Sequence, residues 1–149
     1  MPSLYLAHGH YEPIRILGRV LQAKLEKVGI EVLNPFAGRE QELYDRYAAK
    51  GLPYPKEICE EIVNRDLDQI DNSDGVVSIP SRSSIGTFME IFYASYLYEK
   101  PVWCLWIHQE EKGAENRHPW LEHFTNLYIG ADKEDQVVQD IVTYFRKGK

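Results

Sequence analysis

The chain has 149 residues, of which 44% are hydrophobic and 27% charged, and its formal net charge is -6. That length suffices for one domain with its own core, and the composition is globular rather than disordered. The acidic balance argues against a binder of nucleic acid polymers, whose footprint would be basic, but leaves room for a small anion held by local arginines.

Leu4-Tyr5-Leu6-Ala7 is a short apolar run that ends at His8-Gly9-His10, which predicts a strand and then a loop. From Pro13 to Val28, Ile14, Leu17, Val20, Leu21 and Leu25 recur at helical spacing, and Gly29 suits the position just past a helix end. Ile30-Glu31-Val32-Leu33 predicts a second strand, stopped by Asn34-Pro35. Strand, helix, strand in this order is the pattern of a parallel βαβ unit. Residues 37–55 are polar and broken by glycine and proline, predicting a long loop with one short helix at Glu40–Ala49. A loop of that length serves either as a lid or as surface decoration.

A helix is expected from Pro55 to Ile70, a strand at Gly75–Ile79, a turn at Pro80–Ser84 and another helix from Gly86 to Glu99. Pro101–Ile107 is almost wholly apolar, as in a central strand covered on both faces. Residues 108–126 give no clear pattern; a short strand at Leu127–Ile129 and a helix at Glu134–Phe145 follow. Five strands alternating with helices, without repeat or linker, predict one α/β domain over residues 1–149. The expected architecture is a doubly wound, five-stranded parallel sheet, flavodoxin/Rossmann-like, in the order 2-1-3-4-5. No apolar run reaches membrane-spanning length, and the chain enters its first strand without a charged leader. Cys59 and Cys104 lack metal-type spacing and read as buried reduced thiols, so a soluble cytoplasmic protein with no membrane partner is expected.

Ligands of such sheets bind beyond the carboxyl ends of the strands, where the strand order reverses. In the predicted order, the loops placed there are Ala7–Tyr11 and Pro80–Ile85, so His8, Gly9 and His10 become candidate ligand contacts. Asp66 falls in the stripe formed by Cys59, Ile62, Val63, Leu67 and Ile70, where an apolar side chain is expected. A carboxylate facing a core is costly unless hydrogen-bonded or protonated, so it serves either a structural bond or chemistry. Glu90 lies one turn into the helix opening at Gly86, with space beside Gly86 and Ala94; N–H groups of a helix start favour the ionised form. An ionised, held carboxylate suits nucleophilic attack, although many such glutamates are only dipole partners. Ser81-Arg82-Ser83-Ser84-Ile85-Gly86 offers hydroxyl, guanidinium and backbone donors to an oxyanion, with helix capping by Ser83 or Ser84 as the compatible plain reading. The spacing fits neither a Walker motif nor a dinucleotide fingerprint, a nucleophilic-serine motif is absent, and His118 and His123 fall outside zinc spacing. No metal and no organic cofactor is expected.

Three blocks carry a family resemblance: Leu4-Tyr5-Leu6-Ala7, the run from Asn64 to Gly75, and Gly86-Thr87-Phe88-Met89-Glu90, continued by Ala94 and Lys100-Pro101-Val102. In this order and spacing the chain resembles the nucleoside 2-deoxyribosyltransferase superfamily, which includes the 2'-deoxynucleoside 5'-phosphate N-hydrolases, from its start through Ile107. The resemblance implies that Glu90 attacks the anomeric carbon, that Asp66 contacts the substrate and helps protonate the departing base, and that Tyr5 lies near both. It implies transfer of the sugar to a second, free nucleobase, or, with water as acceptor, hydrolysis in the manner of a retaining glycosidase.

Transferases of the superfamily tend to carry an aspartate six residues before the glutamate, where this chain has Ser84. With Arg82 and Gly86, that serine suits a 5'-phosphate, and the ending Phe145-Arg146-Lys147-Gly148-Lys149 also departs from the transferases, which often end in an aromatic segment. The Gly-Thr-x-x-Glu wording leans the other way. Expected activities are therefore sugar transfer between bases, hydrolysis of nucleoside 5'-monophosphates, or non-catalytic nucleotide sensing on the same fold. The resemblance also implies a homodimer or larger assembly, consistent with Tyr93, Tyr96 and Tyr98 crowding one helix, and Asn126 near a strand start is a candidate contact to a neighbour's ligand.

Overall fold

The computed structural model describes residues 1–9, 12–36, 42, 45–46, 51, 55–81, 84–107 and 118–148. In chain order the elements are β1 (Ser3–His8), α1 (Glu12–Lys27), β2 (Glu31–Leu33), α2 (Lys56–Asn72), β3 (Gly75–Ile79) and α3 (Ile85–Phe92). A π-helical turn (Tyr93–Leu97) extends α3, and β4 (Val102–Trp106), α4 (Pro119–Phe124), β5 (Leu127–Gly130) and α5 (Glu134–Lys147) complete the domain. All strand pairs are parallel and the sheet order is β2-β1-β3-β4-β5, the expected one. The short helix expected at Glu40–Ala49 lies almost wholly outside the described residues.

Alternation along the strands splits the core into two layers, because successive side chains of a strand point to opposite faces. Leu4, Leu6, Val77, Ile79, Trp103 and Leu105 pack with Ile14, Leu21 and Leu25 of α1 and with Val137 and Ile141 of α5. Tyr5, Ala7, Val76, Val102 and Cys104 pack on the other face with Ile70 of α2, Ile91 of α3 and Leu121 of α4. Each fully buried large side chain contributes roughly 1.5–3 kcal/mol, so both faces of β1, β3 and β4 anchor the sheet firmly. Trp103 keeps its polar atom satisfied by donating from Nε1 to Asp140 Oδ2 at 2.8 Å, which ties β4 to α5. Gly29 has φ +87°, the left-handed geometry that ends α1 and that a side chain would strain.

The structure departs from sequence expectation at three places. The π turn interrupts the helix read as continuous from Gly86 to Glu99: Tyr98 N–H reaches back five residues to Tyr93 O at 3.0 Å, and Glu99 leaves the helix with φ +52°. Helix α4 was hidden in the opaque stretch. Its signal is Pro119 at the first helical position after His118, whose Nδ1 accepts the Trp120 N–H at 3.3 Å. Cys59 and Val63 are exposed, so the buried line of α2 is narrower than the stripe read from the sequence.

The cysteines therefore differ, and this has a measurable consequence. Cys104 lies in the core, where burial pushes its thiol up to about 12, whereas Cys59 is at the surface. The thiolate is the reactive form, so near neutral pH the native protein is expected to take up one equivalent of a maleimide, at Cys59. The second site should react only after denaturation, and rapid double labelling of folded protein would contradict the buried placement of Cys104.

Candidate active site

The strand order reverses between β1 and β3, and the loops leaving their carboxyl ends meet there. Gly9, just past β1, faces Ser84, the residue before α3, so closely that a Cβ on Gly9 would lie 2.7 Å from Ser84 Oγ. Ser84 is buried and its hydroxyl is held by the Ser81 N–H at 3.1 Å and the Ser81 hydroxyl at 2.9 Å. That hydroxyl is turned back into the loop and makes no capping bond to the first turn of α3. His10, Arg82 and Ser83 lie outside the described residues.

Helical side chains lean toward the helix N-terminus. Glu90 accordingly reaches back along α3: a Cβ on Gly86 would lie 3.8 Å from Glu90 Oε1. Glu90 is half-buried with Oε2 screened from solvent, while its neighbours Thr87 and Ile91 carry the packing of α3 against the sheet. On α2, Ile62, Asp66 and Ile70 follow one another at four-residue steps. The two isoleucines are buried, and Asp66 is half-buried with Oδ1 screened from solvent. Tyr5 is fully buried in the same layer, and its hydroxyl oxygen is likewise hidden. Tyr5, Asp66 and Glu90 thus belong to one side of the sheet, the side covered by α2 and α3.

The relative placement of α2 and α3 is pinned by Lys100, two residues beyond the π turn's last bond. Its ammonium donates to the Ile70 carbonyl at 2.8 Å, to the Ser73 carbonyl at 2.5 Å and to the Asp71 carbonyl, closing the C-terminus of α2. A cation there meets the negative end of the helix dipole. Desolvation holds its pKa below the ordinary lysine value, opposed by Asp71 and Asp74. Two polar groups that the sequence did not single out share the layer: Gln69, three residues after Asp66, and Tyr128 of β5. Gln69 Oε1 is buried without a hydrogen-bond partner among the described residues, and its i, i+3 spacing from Asp66 was the available signal.

Two of the candidate contacts lie away from the Tyr5 layer. Strand alternation turns His8 to the opposite face, where its ring packs beneath α1 against Gly18, away from the Tyr5 layer. Asn126 precedes β5 at the amino-terminal edge of the sheet, the far end from the β1 and β3 loops. It is held there structurally: its N–H donates to Val102 O at 2.7 Å and its Oδ1 accepts the Val102 N–H at 2.9 Å. Both residues were read from sequence position alone, which gives neither the face of a strand nor the end of a sheet. Among the described residues no group of His, Cys, Asp and Glu side chains is arranged to hold a metal ion, and no helix is long and apolar enough to cross a membrane.

The fold is that of a doubly wound α/β protein, and Asp66 and Glu90 lie on the two helices that cover one face of its sheet. This is the fold of the Clostridium botulinum CMP N-glycosidase BcmB, with a TM-score of 0.56 at 20% identity over 93% of this chain and 97% of that one. No protein-family model matches the chain, and no curated protein matches it in sequence.

Proposed function

We propose that this protein cleaves the N-glycosidic bond of a nucleoside or nucleotide through a covalent sugar–Glu90 intermediate, as a member of the nucleoside 2-deoxyribosyltransferase superfamily. The observation that carries the reading is the shared placement of Tyr5, Asp66 and Glu90 on one face, with a screened oxygen on each. Glu90 attacks C1' of the sugar, forming a C–O bond as the C1'–N bond breaks; the bonding pair leaves with the base, and the Asp66 carboxyl supplies its proton. Tyr5 borders the sugar. Water, or a second base, then attacks C1' and releases Glu90, so two displacements retain the anomeric configuration.

Between acceptors and substrates, two features favour a 5'-monophosphate hydrolysed by water. Ser84 and the adjoining Gly9 offer small, uncharged groups where a 5'-phosphate would sit, in place of the aspartate that transferases tend to carry at the position of Ser84. The fold is also shared with a protein described as a CMP N-glycosidase. Transfer to a second base remains the alternative, favoured by the Gly86-Thr87-x-x-Glu90 wording. Incubation with nucleosides, with and without a free base, and with nucleoside monophosphates separates them. Free base plus sugar phosphate supports hydrolysis and a new nucleoside supports transfer, whereas binding without turnover leaves only the sensing role.

A homodimer belongs to the same reading. Ile85, Met89 and Tyr96 on α3 and its π turn are exposed, as is Trp120 on α4, and Phe92, Tyr96 and Phe124 stack into one aromatic face between them. Pro119, Trp120, His123 and Phe124 line a hollow of about 280 Å³ on that face. Tyr98 instead packs toward the core, so Tyr96 alone of the three tyrosines is exposed. A contiguous apolar patch on the Glu90 helix suits a self-complementary twofold contact. Light scattering is expected to give twice the chain mass, and Tyr96→Glu with Trp120→Glu to give the monomer; a monomeric parent protein would contradict the dimer.

A further inference from the structure

His8 occupies an unusual position for an imidazole: it ends β1, is 6% exposed, and lies on the face away from Tyr5. Its Nδ1 lies 2.8 Å from the Gly9 carbonyl oxygen. A carbonyl only accepts, so Nδ1 carries a proton. Nε2 points at the backbone of α1, where a Cβ on Gly18 would come within 2.9 Å. The ring also stacks on Phe36, with centroids 4.5 Å apart and planes 21° from parallel. Phe36 is itself fixed, since its N–H donates to Asn34 Oδ1 at 2.9 Å and Asn34 Nδ2 donates to Gln22 Oε1 at 3.0 Å. The imidazole is therefore wedged between α1 and the turn after β2, with its Nδ1–H given to the Gly9 peptide.

Gly9 is the residue that lies close beside Ser84. The imidazole thus holds the Gly9 carbonyl, and Gly9 approaches the Ser84 hydroxyl, itself pinned by Ser81, too closely to admit a side chain. We infer that His8 is a positioning residue for the phosphate end of the site: it never touches the substrate, and it sets the Gly9 peptide against Ser84. This rests on the assignment of Ser84 to a 5'-phosphate. Because the wedge lies on the face opposite Glu90, its loss acts on binding of the phosphate-bearing substrate and not on the displacement at C1'. Small misplacements of binding groups have large kinetic effects, which makes a positioning role measurable.

The test compares His8→Ala, His8→Asn and Gly18→Ala with the parent protein. KM and kcat are read for a nucleoside monophosphate and its parent nucleoside, alongside melting temperature with and without inorganic phosphate. His8→Ala is expected to raise KM for the monophosphate by about 10-fold, with kcat and the nucleoside KM within about twofold of the parent. His8→Asn places an amide N–H where Nδ1–H was and is expected to recover most of the loss. Gly18→Ala keeps the imidazole but drives a methyl toward Nε2, and should show an intermediate effect. A general folding defect would move both substrates together and would not be rescued by asparagine; either pattern, or three variants equal to the parent, overturns the inference. If the parent cleaves no substrate, the proposed function fails separately, and the phosphate melts decide. A phosphate-induced rise in the parent and His8→Asn but not in His8→Ala upholds the role of His8, and a parent indifferent to phosphate overturns it.

Discussion

Glu90→Ala is expected to lower the rate of base release by at least about 10³-fold, the scale of loss when a covalent nucleophile is removed. The fold should survive the change. Thr87 and Ile91, not Glu90, carry the buried contacts of α3, and alanine is the better helix former. A half-buried carboxylate whose Oε1 sits beside Gly86 leaves no large void when removed. The decisive measurement is therefore single-turnover base release, with melting temperature as the control. A variant that folds and releases base at the parent rate would end the assignment of Glu90, and with it the covalent route. Glu90→Gln sharpens the point, since it keeps the volume and removes only the nucleophilic charge.

Asp66→Asn should cost about 10²-fold or more in the same assay, within the range that a positioned general acid contributes. Its signature is dependence on the leaving group. A base that departs readily without protonation needs no acid, so the loss should shrink toward unity for such a substrate and be greatest for a basic nucleobase. Equal losses across leaving groups would assign Asp66 to binding or structure instead. Melting temperature is the control here too, because Asp66 stands in the line of Ile62 and Ile70 on the packed side of α2. Unequal effects of the two substitutions on fold and rate would separate chemistry from packing at both positions.

The parts of the fold that were readable were those governed by local period. The apolar spacing of Ile14, Leu21 and Leu25, the two-sided apolar strand around Trp103 and Cys104, and Gly29 with its left-handed backbone all respond to forces acting within a few residues. The order β2-β1-β3-β4-β5 followed from the alternation of strand and helix, since parallel strands need a helical crossover. Asp66 stands out in the sequence as a charge in the apolar line of its helix, and Glu90 as a carboxylate near a helix start with small residues beside it.

Placement at longer range was not readable. His8 and Gly9 are neighbours in sequence, yet strand alternation sends the ring of one beneath α1, while the peptide of the other meets Ser84, 75 positions further on. Asn126 reads as a strand start, but only the parallel sheet shows which end of the sheet that is, and that its side chain is tied to Val102. The π turn is set by the competing anchors on either side of it, with Ala94 buried against the sheet and Lys100 drawn into the carbonyls that end α2. Sequence by itself determined which side chains are chemically out of place and the succession of elements, because residue periodicity acts locally. Tertiary structure alone decided which face and which end of the sheet each of them occupies, because those depend on pairings between segments far apart in the chain.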